Sequence, residues 1–149
     1  MAVEEKLSFM DKYVVEKGFV KPNRRLFTIR SEHVRQVFTE FIEKLGRENF
    51  YLSTIVGTDM KDEGRIRLDY YVVLLPEEET IVIRTYLPRD NPVVDSIIDL
   101  LPGALSGECE TYDLLGVVFK GNSFLKRGFF IPQDLVEQDR YPLRKDSGV

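Results

Sequence analysis

Three β-rich runs, Phe50 to Val56, Ile66 to Leu75 and Thr80 to Leu87, follow one another with little more than "DMKDEG" and "PEEE" between them. A parallel pair needs a crossover of roughly a dozen residues or more, so short polar connections restrict these strands to antiparallel hairpins. In the middle run Ile66, Leu68, Tyr70, Val72 and Leu74 share one side. Arg65, Arg67 and Asp69 share the other, until Val73 and Leu75 turn it apolar. That is the pattern of a half-covered strand becoming a central one.

The cover is helical. Val34, Val37, Phe38, Phe41, Ile42 and Leu45 recur at three- and four-residue spacing, with Ser31 at an N-cap position, Glu32 in the first turn and Gly46 placed to close the helix. "RRLFTIR" before it reads as a short strand. Two weaker patterns predict further helix: Leu7, Met10, Val14 and Val15 within an N-terminal arm or helix over residues 1–23, and Val94, Ile97, Ile98 and Leu101 between Pro92 and Pro102. A helix, a run of strands and shorter helices predict an α+β fold, with helices packed on an antiparallel or mixed β-sheet. A chain of 149 residues fits one domain. Residues 24–131 are its expected core, and residues 132–149, with Pro132, Pro142 and no apolar period, are an extended, largely irregular tail.

Composition removes several chemistries. A net charge of −4 argues against a nucleic-acid binder. Cys109 and His33 are the only residues of their kinds, so one chain cannot build a disulfide, a zinc site of Cys and His, or an iron–sulfur cluster. Phosphate loops, glycine-rich strand-to-helix turns and nucleophile elbows are missing. The N-terminus is acidic where a signal peptide carries lysine, and no apolar run reaches bilayer length, so a cytoplasmic location is expected.

What remains is "GECETYDLLGVVFKG", residues 107–121, with three carboxylates and a thiol in an otherwise apolar stretch. On a helix Glu110 and Asp113 share a face and Glu108 is turned away from Glu110, so the acids divide. Nothing in the sequence brings His33 to Cys109, which reads as a small buried thiol. One reading is a free-standing soluble enzyme or ligand-binding domain that uses the Glu108, Glu110 and Asp113 cluster. Another is an interface in which the acids meet cations of protein, with Lys126, Arg127, Arg144 and Lys145 in the same terminal third. A third is plain solvated charge. If Glu108 or Glu110 is buried, it must accept hydrogen bonds from arginine or backbone N–H.

"PGALSGECETYDLLGVVFKGNSFLKRGFFIPQD" followed by "YPLRKD" resembles the C-type subunit of NADH–quinone oxidoreductase, respiratory complex I, and its relatives in energy-converting membrane-bound hydrogenases and formate hydrogenlyase. The likeness runs upstream through "RDNPVVDSIIDLLPGA" and covers about residues 28–146. Glu108, Glu110, Asp113, Gly116, Gly121, Arg127, Pro142, Leu143, Arg144, Lys145 and Asp146 fall on positions of the family's motif. Cys109 stands where the family usually has arginine, Ser106 where it often has tryptophan, and Asn122-Ser123 where it has His-Pro. The resemblance implies a subunit without catalytic residues, cofactor or metal of its own. Iron–sulfur clusters, flavin or a nickel–iron centre would lie in partner subunits. It also implies docking to the hydrogenase-like large subunit, the D-type component of complex I, and to other hydrophilic-arm subunits, peripheral to the cytoplasmic membrane. The departures leave the electron donor open.

Overall fold

The computed structural model describes residues 2–148. Its frame is a five-stranded sheet of β1 (Val14–Val20), β2 (Arg24–Ile29), β3 (Phe50–Met60), β4 (Arg65–Leu74) and β5 (Glu79–Pro88), in the order β1-β2-β5-β4-β3. β3, β4 and β5 form the expected antiparallel meander, with Ile66 opposite Leu87 and Tyr70 opposite Ile83. β2 joins β5 in parallel, and the sheet is therefore mixed. The long path between them, which includes a helix at Val34–Leu45, supplies the crossover that a parallel pair demands.

The N-terminal pattern does not give one continuous helix, and this corrects the sequence expectation. It is broken into helix α1 (Val3–Lys6), a 3₁₀ turn at Ser8–Met10 and the edge strand β1. Leu7 and Met10 are buried as helix-face residues would be, while Val15 and Phe19 lie exposed on β1.

The expected amphipathic helix is α2 (Val34–Leu45). Its Val34, Val37, Phe38 and Phe41 are wholly buried on one face of the sheet, where Phe38 packs on Tyr70 and Phe41 on Phe50. Burying each such side chain contributes roughly 1.5–3 kcal/mol. Ser31 does not cap the helix. Residues Ser31–His33 form a 3₁₀ turn, and α2 begins after it at Val34 without a side-chain cap.

The segment after Pro92 is a second correction, because it is not a helix. Its β-branched residues extend as β6 (Val93–Asp95), in parallel with β7 (Val118–Lys120), and a turn at Ile97 follows. Helix α3 (Leu105–Leu115) packs on the same sheet face as α2, approaching β3 through two glycines. A Cβ on Gly57 would stand 2.4 Å from Leu115 Cδ1, and one on Gly107 would stand 3.1 Å from Ile55. The helix therefore lies close on β3. A final short helix, α4 (Gln133–Glu137), interrupts the tail.

Candidate docking surface

α3 buries polar side chains on several sides at once: Glu108, Thr111 and Asp113 alongside Cys109 and Leu115. Glu108 has no exposed surface. Its Oε1 accepts from Ser96 Oγ at 2.6 Å and Asn122 Nδ2 at 3.0 Å, and its Oε2 accepts from the Ile97 N–H at 2.9 Å. All three donors are neutral. Burial pushes the Glu108 carboxyl above its ordinary range, the three hydrogen bonds pull against that, and the Asp99 charge adds to the rise.

The Glu108 network reaches a surface loop. Asn122 spends its amide in both directions, since its Oδ1 accepts from the Phe124 N–H at 2.8 Å. Asp113 holds the same loop further on. It accepts from the N–H of Gly128 at 2.9 Å, from that of Phe130 at 2.7 Å and from Arg127 Nε at 3.1 Å. Burial raises the Asp113 carboxyl, but the Phe130 and Gly128 N–H groups and Arg127 outweigh it, leaving the group below its usual range.

The two buried acids thus fix the loop over residues 122–130, whose aromatic side chains stand exposed. Phe124 is 64% exposed, Phe129 73% and Phe130 41%, with Leu143 of the tail at 52%. Phe129 and Phe130 pack on one another at 4.9 Å, and exposed apolar side chains gathered in this way are a candidate site of association. Lys126 and Lys145 stand exposed in the same stretches of chain.

The tail is pinned beside this loop. Tyr141 lies against Gly116, where a Cβ would meet its ring at 3.1 Å, and Arg127 stacks on Tyr141 at 3.9 Å while donating to the Arg140 carbonyl. Gly116 takes a left-handed conformation, φ 80°, that ends α3. Beyond it the Leu143 N–H donates to the Leu114 carbonyl and Arg144 Nε to the Leu115 carbonyl at 2.7 Å, so the tail caps the helix C-terminus with a cation. The Lys145 N–H reaches Asp59, and Asp146 pairs with Arg89 at 2.7 Å. Arg89 in turn grips the buried Asp59 with two hydrogen bonds, 2.6 and 2.8 Å.

Of the residues singled out in the sequence, Glu108, Asp113, Gly116, Arg127, Leu143, Arg144, Lys145 and Asp146 meet in this assembly. Pro142, half-buried, turns the chain into it. Glu110 does not join. It is exposed although Asp113, three residues on, is buried, because loop 127–130 closes over one flank of α3 and stops short of the other. Gly121 only supports a turn at φ 96° with nothing within 4 Å of a Cβ. Glu108, Glu110 and Asp113 therefore do not converge on one pocket. Within the chain Arg144 donates to a main-chain carbonyl, and Lys145 reaches the Asp59 carboxylate through its backbone N–H. Cys109 is buried, its thiol raised by burial, 3.8 Å from the Phe124 carbonyl. Sequence reasoning missed Ser96, Asp59, Arg89 and Tyr141, whose partners lie far away along the chain. The exposed "GFF" at residues 128–130 was a local signal that could have been read.

Known proteins resemble this chain in sequence and in fold. The family model for the respiratory-chain NADH dehydrogenase 30 Kd subunit matches residues 27–149. The C-type subunit of NADH-quinone oxidoreductase from Moorella thermoacetica is 33% identical over 118 residues, covering 79% of this chain and 76% of that one. The C-type subunit of F(420)H(2) dehydrogenase from Methanosarcina mazei is 29% identical over 134 residues, covering 89% and 81%. Among solved structures, a chain of the membrane-bound sulfane sulfur reductase, an archaeal respiratory membrane complex, shares the fold at a TM-score of 0.78 and 24% identity over 97% of this chain and 82% of that one. No helix among the described residues is long and apolar enough to cross a membrane. With the closing motif, the fold and the matched span in agreement, this chain belongs to the 30 kDa subunit family of respiratory-chain NADH dehydrogenase, found in complex I-like respiratory complexes.

Proposed function

We propose that the chain is a cofactor-free assembly subunit that sits peripherally on the cytoplasmic side of its complex and docks to the hydrogenase-like large subunit through Phe124, Phe129, Phe130 and Leu143. The observation that carries this reading is the use of the buried acids. Glu108 and Asp113 have their acceptor sites occupied by Ser96, Ile97, Asn122, Arg127 and the loop N–H groups, which leaves them to shape a surface rather than to exchange protons with a substrate. A role independent of the electron donor has support in the relatives' names. One belongs to an NADH-quinone oxidoreductase and another to an F(420)H(2) dehydrogenase, so this subunit type accompanies different donors.

The test is co-purification from cells carrying F124S, F129S or F130S in this chain. These side chains are exposed, so the isolated subunit should keep its thermal midpoint while recovery of the large subunit falls. Undiminished recovery with all three substituted together overturns the assignment of the docking surface.

A further inference from the structure

α2 and α3 both lie on one face of the sheet, and the other face carries no helix among the described residues. Its residues follow from the register. Tyr71 is opposite Val82, Asp69 opposite Arg84 and Arg67 opposite Tyr86 on β4 and β5; Thr58 is opposite Arg67 on β3, and Leu26 is opposite Val82 on β2. Val82 is wholly buried and Val73 nearly so, beneath a layer of guanidinium groups and tyrosine rings. Arg65 stacks on Tyr86 at 3.6 Å and Arg24 lies over Tyr71 at 5.5 Å.

The cations of this face are all arginine. Ordinary solvated sheet faces carry lysine freely, whereas protein interfaces are enriched in arginine and tyrosine and depleted in lysine. Two of the arginines are satisfied: Arg84 grips the buried Asp69 at 2.7 and 3.2 Å, and Arg65 pairs with Glu63 at 2.7 Å. Two keep binding capacity to spare. Arg24 has no ion pair among the described residues. Arg67 Nε, buried, makes a loose ion pair of 3.4 Å to Asp69, which Arg84 grips more closely, but no hydrogen bond, and its Nη2 makes one long hydrogen bond of 3.5 Å to Thr58. The remaining acid on the face, Glu16, stands at its far edge on β1.

We infer that this open face is a second docking surface, and that its occupant is an extended, carboxylate-rich segment of a neighbouring subunit in the complex. Arg67 and Tyr71, whose ring the Arg24 guanidinium reaches from β2, are four residues apart along β4, about 13 Å. An extended partner places the side chains of residues i and i+4 on one side at that same spacing, so acids at those two positions meet both guanidinium groups. Each arginine is held by packing on tyrosine or by the strand pairing below it, so little freedom is lost when a carboxylate arrives. The inference rests on the chain's place in a multi-subunit assembly, not on which partner the aromatic loop holds.

The test uses the assembled complex carrying R24K or R67K, treated with a water-soluble carbodiimide. The reagent joins a lysine amine to a touching carboxylate as an amide and leaves as its urea. Mass spectrometry should find both variants cross-linked to one acidic segment of another subunit, R24Q and R67Q should give no such product, and R24E/R67E should lower retention of that subunit by about tenfold. Cross-links confined to Asp69 of this chain, or absent from a complex that has assembled normally, overturn the proposal without touching the aromatic-loop assignment. Sedimentation of the isolated chain with phosphatidylglycerol vesicles, lost in R24E/R67E, would also overturn it by giving the face to lipid.

Discussion

Replacing Glu108 by glutamine separates its charge from its hydrogen bonds. The wild-type carboxylate is buried without a cation, and an unpaired buried charge is costly even when well hydrogen-bonded. Glutamine fills the same volume. Its oxygen can accept from the Ile97 N–H, and its amide can donate to Ser96 Oγ, but it then opposes the Asn122 amide. One hydrogen bond is lost, about 1 kcal/mol, against relief of the buried charge. E108Q should therefore lie within about 1 kcal/mol of wild type at pH 8. E108A orphans all three donors and should cost about 3–5 kcal/mol. The sign with pH follows from the raised carboxyl. Its charging penalty is absent below the unfolded-state value near 4.5, grows as pH rises to the folded value, and is constant above it. Between pH 8 and pH 5 wild type should thus gain stability relative to E108Q, whatever the other acids do to both. Urea unfolding followed by circular dichroism at the two pH values measures that difference. An E108Q chain as unstable as E108A would refute the reasoning, because it would mean that the negative charge itself holds the site together.

Four further outcomes follow from contacts described above. G57A drives a methyl group into Leu115 Cδ1 and against Thr111, so the buried Leu115 must turn or α3 move off β3, and denaturant unfolding should show a loss of about 1–3 kcal/mol. R89M strips the buried Asp59 of its main partner and should cost about 3–5 kcal/mol near neutrality. Since Arg89 holds the Asp59 carboxyl below its ordinary value, the lost stability is the part present above pH ~4 and dissipated as pH falls through the folded value, so wild type and R89M should converge in acid. Ending the chain after Arg140 removes the cap on α3 and the Asp146 pair, and should lower the urea midpoint of the isolated subunit; an unchanged midpoint would show the tail to be merely draped. C109S should leave both stability and assembly of the complex close to wild type, as judged by thermal melting and co-purification.

The central meander and α2 were legible because each is written in local periodicity, alternation in Ile66–Leu74 and a three-four stripe in Val34–Leu45. The N-terminal strand was not, since "VVEKGFV" at an edge has no two-sided apolar alternation and its Val14 and Val15 continue the helical spacing of Leu7 and Met10. The segment around Val94 misled for a related reason: a three-residue strand is too short to display a period. At the candidate surface the acids and the closing motif could be named from sequence, but their partners within the chain could not. Asp59 and Lys145 are 86 residues apart, and Arg89 and Asp146 57 apart, so only the packed chain brings them together. Glu110 failed for the opposite reason, because helix geometry specifies which residues share a face but not where a covering loop stops.

The parallel pairing of β2 with β5 sets the order in which the chain can be put together. β3, β4 and β5 close through short turns and need nothing outside themselves, so their contacts are cheap in loop entropy. β2 has no central neighbour to bind until β5 exists, and β1 has no place in the sheet until β2 is seated. On the ribosome β1 and β2 therefore emerge well before β5, because β3 and β4 lie between them in the chain, and must wait for it. The exposed Val15 and Phe19 belong to this late-docking part. During that interval the N-terminal segment is the stretch most open to chaperones, and to mispairing with another copy of itself.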